Sequence, residues 1–313
     1  MQAWPPHSPP SDAGRFRDRS VHRNASPGSG EGILSCKART LQKPAANSRG
    51  AGILPALFVS HGAPDLAVLD TPERGFLEGL AADLPRPRAI VSVSAHFETT
   101  RPAVVADPAP ETIYDFGNFD PRLFEIVYPA PGDPQLAQRI ATGMREQGQA
   151  VDVLEQRGFD HGTWVPLTLV YPQADIPVVQ LSVQPREGPE HHLRIGRMLR
   201  DILSDDVLLF ASGALTHNLR ELFSGGMPAL DAPAPDWVND FGDWVGDRVA
   251  AGDEAALLDY RARAPHAARN HPTDEHLLPI FVAMGFAGEG WNGRRLFAGH
   301  SRGLIRMDTF SFQ

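Results

Sequence analysis

The sequence predicts an α/β fold: a single domain with a central, largely parallel or mixed sheet flanked by helices. Three observations carry this. From Ile53 onward, short apolar runs alternate with stretches of helical period. The β-branched run 89–93 sits behind proline punctuation at Pro85 and Pro87, the pattern of a buried strand. Three such runs empty into a histidine: 57–60 into His61, 89–93 through small residues into His96, and 207–210 through six further residues into His217. In open α/β sheets ligands bind beyond the carboxyl ends of the strands. One histidine at such an edge is ordinary; three together point to a metal or acid–base site.

The chain has 313 residues, of which 42% are hydrophobic and 21% charged, the proportions of a soluble globular protein of one or at most two domains. Its formal net charge of -9 argues against nucleic acid or an anionic membrane as the main partner. No window reaches the roughly 18 apolar residues of a membrane span. The amino terminus lacks the compact apolar core of a secretory signal, so cytoplasmic residence is the simplest expectation. Cys36 is the only cysteine, which excludes an intrachain disulfide and a cysteine-based zinc knot. A metal here must use histidine and carboxylate ligands.

Residues 1–52 are rich in Pro, Ser, Gly, Asn and Arg without an apolar period, and read as a disordered extension ahead of a catalytic domain over 53–313. They hold eight basic and three acidic residues, so the extension carries +5 and the remainder -14. Such a composition suits a transit-like or regulatory tail, but a dispensable extension or an over-long start is the favoured reading.

Taken in order, the strand at 57–60 ends in His61-Gly62-Ala63-Pro64. A helix then begins at Thr71-Pro72, a capping residue followed by proline at the first helical position, and turns Phe76, Leu77 and Leu80 inward. After the strand at 89–93, residues 107–132 form a proline-rich, aromatic loop, whose length and composition suggest an ordered lid or pocket wall. Asp133-Pro134 opens a helix with Leu136, Ile140 and Met144 on one face. A strand at 151–154 leads to a glycine-bracketed turn, 158–164, that holds His161. Residues 176–183 and 207–212 read as strands, with a helix over 190–203 between them. An amphipathic helix from about Pro235 buries a stripe of Trp237, Phe241, Trp244 and Val245. Residues 270–278 look like a helix start with Thr273 as cap, Pro279 blurring the boundary. The extended pattern of 304–312 suits a closing edge strand.

Of the twelve histidines, His7, His22, His191, His192, His266 and His300 read as solvated. His276 differs. It falls in the first turn of an expected helix, whose dipole disfavours protonation, and a neutral imidazole is what a metal requires. His271 is the weaker candidate beside it.

Six short motifs follow one another along the chain: Ser60-His61-Gly62-Ala63-Pro64, Ser94-Ala95-His96-Phe97, Asp115-Phe116-Gly117, Phe159-Asp160-His161-Gly162-Thr163-Trp164, Ser212-Gly213-Ala214-Leu215-Thr216-His217-Asn218-Leu219 and Pro272-Thr273-Asp274-Glu275-His276. Together they resemble the class III extradiol ring-cleavage dioxygenases, in particular their 4,5-DOPA dioxygenase branch, from about Pro55 to the carboxyl terminus. The resemblance implies a single α/β domain with a non-haem Fe(II) site at one sheet edge. It also implies a small-molecule catechol and O2 as reactants, and a muconic semialdehyde as product. Carried over residue by residue, it implies His61, His96 and His276 as metal ligands. His217 would be a fourth ligand in a resting site or an acid–base residue once substrate is bound. His161 would be a second acid–base or substrate-orienting group.

The better-known members of that class use two histidines and a glutamate, the facial triad of Fe(II) oxygen chemistry, whereas the DOPA branch has histidine at the third position. Glu275 is the carboxylate rival of His276, but neighbouring residues on a helix point about 100° apart, so the two do not bind together. An all-histidine site also suits Zn(II). Two other readings use the same residues: a zinc-dependent hydrolase with Glu275 as general base, and a structural or storage metal site, which leaves His161 without a role. The sequence carries no signal for the oligomeric state.

Overall fold

The computed structural model describes residues 54–313. The expected disordered extension, with His7, His22 and Cys36, lies outside the described residues.

The first half of the fold comprises β1 (Ala56–Ser60), α1 (Pro72–Leu80), β2 (Ala89–Glu98), β3 (Ala103–Val105), α2 (Pro134–Glu146), β4 (Asp152–Leu154), α3 (His161–Val170), β5 (Val178–Val183), α4 (Gly188–Ile202) and β6 (Val207–Gly213). Then come α5 (Leu219–Phe223), α6 (Asp236–Ala251), α7 (Glu254–Leu258), α8 (Tyr260–Arg263), α9 (Ala267–Asn270) and α10 (Leu278–Ala287). The chain closes with β7 (Gly293–Phe297), β8 (His300–Ser301), β9 (Ile305–Arg306) and β10 (Thr309–Phe312). Among the described residues no helix is long and apolar enough to cross a membrane.

Eight of these strands form one mixed sheet in the order β4-β3-β5-β2-β6-β1-β10-β7. Its centre, β5-β2-β6-β1, is parallel. The flanks turn antiparallel where β3 meets β5, β10 meets β1 and β7 meets β10. The central strands are buried on both faces, which explains why their sequences are continuously apolar and not alternating. Alternate residues serve opposite layers. Phe58 and Val91 join the core under α2, α4, α6 and α10, whereas Leu57, Val59 and Ile90 join the one under α1 and α3.

The local signals behave as their chemistry dictates at α1 and α2, where the side chains of Thr71 and Asp133 accept the N–H groups of Arg74 and Leu136. Four expectations need correction. The strand β2 runs on through His96, which therefore lies inside the strand and not beyond it. The later part of the segment expected as a turn at 158–164 is the start of α3 at His161, with the Asp160 side chain capping Thr163 N–H. This helix is buried on almost every side, so it has no polar face to give it a period. The last strand, β10, lies between β1 and β7 inside the sheet; the edge belongs to β7, whose Arg294 and Arg295 disguise it. Finally, α10 begins only at Leu278 with Pro279 in its first turn, so His276 precedes the helix, and the Thr273 hydroxyl bonds Glu275 instead of capping.

Two of the histidines read as solvated are buried. His192 donates from Nδ1 to Gly188 O (2.7 Å) and accepts Gln184 N–H at Nε2 (3.1 Å), while His191 Nε2 contacts Gln184 Oε1 (3.0 Å). The start of α4 packs against the chain leaving β5, and these polar rings satisfy its backbone. His266 is exposed as expected, and His300 half-buried.

Candidate metal centre

Because β1, β6 and β2 lie parallel and adjacent, their carboxyl ends share one edge of the sheet. His61 leaves β1 with its N–H bonded to Gly213 O (2.9 Å), His96 projects from the end of β2, and His217 follows β6. His161 arrives as the first residue of α3. His276 comes from the segment ahead of α10, which is joined to the chain beyond β6 by three hydrogen bonds. These are Ala214 N–H to His276 O (2.9 Å), His217 N–H to Asn270 O (3.0 Å) and His271 Nε2–H to Leu215 O (2.8 Å). The approach is so close that a Cβ on Gly213 would collide with the His276 carbonyl, so only glycine ends β6 in this way. His271 is thus a fully buried strut between the two segments and not part of the cluster.

Three Nε2 atoms converge. His96 Nε2 stands 3.1 Å from His61 Nε2 and 3.3 Å from His276 Nε2. The partners of the other ring nitrogens decide where the protons are. His61 Nδ1 lies 2.9 Å from Ser212 Oγ, whose single hydrogen goes to Gly162 O. Ser212 therefore accepts from His61 Nδ1–H, leaving an Nε2 lone pair aimed inward. His276 Nδ1 lies 3.0 Å from Glu275 Oε1, an acceptor, with the same consequence. Lone pairs facing one another at this range repel unless a cation lies between them. Nitrogens each about 2.0–2.1 Å from one metal stand roughly 3 Å apart, so the donor set fits a metal ion. Burial, reinforced by neighbouring imidazoles, holds His61 and His276 well below the ordinary histidine pKa and lowers His96 to about 3. All three are in the neutral form that a metal takes. For His276 the cause is burial and then its neighbours His217 and His96.

The remaining two histidines flank the cluster, and their ring nitrogens turn to carboxylates. Asp115 Oδ1 accepts both His161 Nδ1–H and His161 N–H, each at 2.9 Å. Burial pushes the Asp115 carboxyl up, but hydrogen bonding and charge from His161 outweigh it and hold the group well below the usual carboxylate range. The His161 ring lies 3.9 Å from that of His96 and 5.4 Å from that of His61. His217 is stacked on His276, with Nδ1 3.8 Å from Glu275 Oε1; burial first, then His96, lowers its pKa well below normal. Ligand-type atoms thus form two groups, His61/His96/His161 and His217/Glu275/His276, each within 4.8 Å and joined at His96 Nε2.

All five histidines singled out in the sequence are together. Glu275 sits behind His276 at Nδ1, the place of a group that orients a ligand. The roles of Ser212, Asp160 and Arg157 emerge only from the structure. Asp160 accepts from Ser94 Oγ (2.6 Å) and Arg157 (2.8 Å), and Arg157 also reaches His96 O (3.3 Å), bracing the end of β2. Asp115 and Ser212 do lie within motifs quoted above, yet nothing in those motifs says which histidine each one meets. The long aromatic loop is an ordered wall on the His161 side. Trp164 Nε1–H bonds Ile113 O (3.0 Å), and the Phe116 ring packs near His161 (5.7 Å), Phe124 (5.4 Å) and Phe119 (5.5 Å).

The chain is similar to known proteins over most of its described residues. The family described as the catalytic LigB subunit of aromatic ring-opening dioxygenase matches residues 57–301. A 4,5-DOPA dioxygenase extradiol of Beta vulgaris is 38% identical over 259 residues, 82% of this chain and 95% of that protein. One from Escherichia coli K12 is 36% identical over 244 residues, 77% and 86% of the respective chains. The crystal structure of an Escherichia coli K12 protein matches with a TM-score of 0.66 at 32% identity, over 82% of this chain and 99% of that one.

Proposed function

The chain belongs to the family of the catalytic LigB subunit of aromatic ring-opening dioxygenases, and on that premise we propose that its histidine centre holds Fe(II) and cleaves a DOPA-like catechol beside its diol. The observation that carries this is the convergence of the His61, His96 and His276 Nε2 atoms, with two further imidazoles at its border. These three side chains are the ligands, and His161 and His217 the acid–base groups. Bound Fe(II) supplies the redox coupling between a catechol and O2.

The protein's part is binding, orientation and proton movement. Ser212 and Glu275 hold the Nδ1 protons of His61 and His276, fixing both rings with Nε2 inward. Catechol gives up two protons as it binds, the first to solvent; an imidazole at hydrogen-bond reach takes the second and returns it as the ring opens. His161, with its Nδ1–H committed to Asp115, offers a free Nε2 lone pair for this. The Phe116 ring packs against that side, 5.7 Å from the His161 ring. Both atoms of O2 end in the ring-opened semialdehyde.

The hydrolase alternative requires Glu275 to face the open metal position as general base, whereas its Oε1 is 3.0 Å from His276 Nδ1. A purely structural metal leaves the paired His161 and Asp115 without work. The test is to load metal-free protein anaerobically with Fe(II) or Zn(II), add DOPA and air, and follow O2 uptake with the visible absorbance of the semialdehyde. Turnover with Fe(II) and none with Zn(II), which has no redox chemistry, is expected. Equal O2 uptake with and without Fe(II) would refute the proposal.

A further inference from the structure

Asp115 is brought to the site by a loop whose backbone is tied down on both sides of it. Ile113 N–H bonds Phe159 O (2.7 Å), Trp164 bonds Ile113 O, and the ring of Phe116 lies 6.2 Å from that of Trp164. The carboxylate so placed, 24% exposed, meets two imidazoles. Its Oδ1 takes the Nδ1–H and the backbone N–H of His161, and its Oδ2 is 3.7 Å from His96 Nδ1, longer than a hydrogen bond.

We propose that Asp115 is a positioning residue for the reaction: it locks His161 in the Nδ1–H tautomer, so that the Nε2 lone pair, and not an N–H, faces the substrate. The logic is that of any acceptor-only group on one imidazole nitrogen: it fixes the proton there and leaves the other nitrogen basic. The backbone N–H of His161 adds a second anchor on the same oxygen, so the tautomer is held together with the first residue of α3. Because Oδ2 faces His96, the carboxylate also favours Nδ1–H in that ring, consistent with its inward Nε2. The inference rests on the acid–base reading of His161.

The first test is spectroscopic and does not depend on turnover. Protein labelled with ¹⁵N-histidine and loaded with diamagnetic Zn(II) is compared with His161→Gln, which identifies the His161 signals by their loss. The Nδ1–H tautomer at His161 supports the proposal, and the Nε2–H tautomer overturns it. The second test is a double-mutant cycle on Fe(II)-loaded protein, with turnover normalised to bound iron. Asp115→Ala is expected to lower kcat about 10- to 100-fold, the usual cost of removing such a partner, with a smaller change in KM. In the His161→Gln background the same change is expected to add no further loss. Losses that multiply in the double variant, or an unchanged kcat in Asp115→Ala, overturn the proposal. If His161→Gln alone keeps parental turnover, it is the acid–base reading of His161 that falls, and the role of Asp115 with it.

Discussion

The imidazole of His217 lies flat on that of His276, with ring centroids 3.3 Å apart and planes 13° from parallel. A metal bound by an imidazole lies in the plane of its ring, and two nearly parallel planes at this separation share no point within bonding distance. By this geometry the proposed ligand of the pair is His276, whose Nε2 meets that of His96, and His217 is the proposed acid–base residue. Replacement of His217 by Gln is expected to leave metal content near that of the parent. It should lower turnover by about 10² to 10⁴, the size of a general acid–base contribution. Iron stoichiometry and turnover measured on one sample decide the matter, since lost iron makes His217 a ligand.

His61, His96 and His276 each supply one of the converging nitrogens, so His61→Ala, His96→Ala and His276→Ala should each bind only a small fraction of an equivalent of metal. Elemental analysis after gel filtration checks this. A full equivalent retained by any one variant strikes that residue from the ligand set.

Ser212 is fully buried and its hydroxyl accepts the Nδ1–H of His61 while donating to Gly162 O. Ser212→Ala leaves that ring N–H unpaired and free to rotate away from the inward pose. Metal affinity is expected to fall about 10- to 100-fold, as for other partners of ligating histidines. Competition with a metal-sensitive chelator measures it, and an unchanged affinity would show that packing alone orients His61.

The buried His192 links stability to pH. Burial, chiefly, lowers its pKa to about 4, and its Nε2 accepts Gln184 N–H, which a protonated ring cannot do. The folded value lies below the unfolded one of about 6.5, so the unfolded chain takes up the proton first. The contribution is complete above about pH 6.5 and is lost as pH falls toward 4, about 3 kcal/mol in all. In His192→Gln the fall in unfolding free energy between pH 6.5 and 4.5 should be shallower than in the parent, by up to about 1.4 kcal/mol per pH unit. Urea unfolding at pH 6.5, 5.5 and 4.5 tests it, and parallel curves would rule the linkage out.

What the sequence by itself determined are the features that need only near neighbours. The short apolar runs of β1, β2, β5 and β6 read as buried strands, and Thr71-Pro72 and Asp133-Pro134 read as helix starts, from local sequence alone. The five histidines were legible because each lies inside a recognisable motif. Tertiary structure decided the rest. The start of α3 at His161 was hidden because a helix buried all round has no apolar period, and β10 entered the sheet interior because β7, with its two arginines, took the edge. The proton on each ring was decided the same way. Ser212 meets His61, Asp115 meets His161 and Glu275 meets both His276 and His217, and only His276 has its partner beside it in sequence. An imidazole's lone pair points where its other nitrogen's partner sends it, and three of those four pairings exist only once the chain is folded.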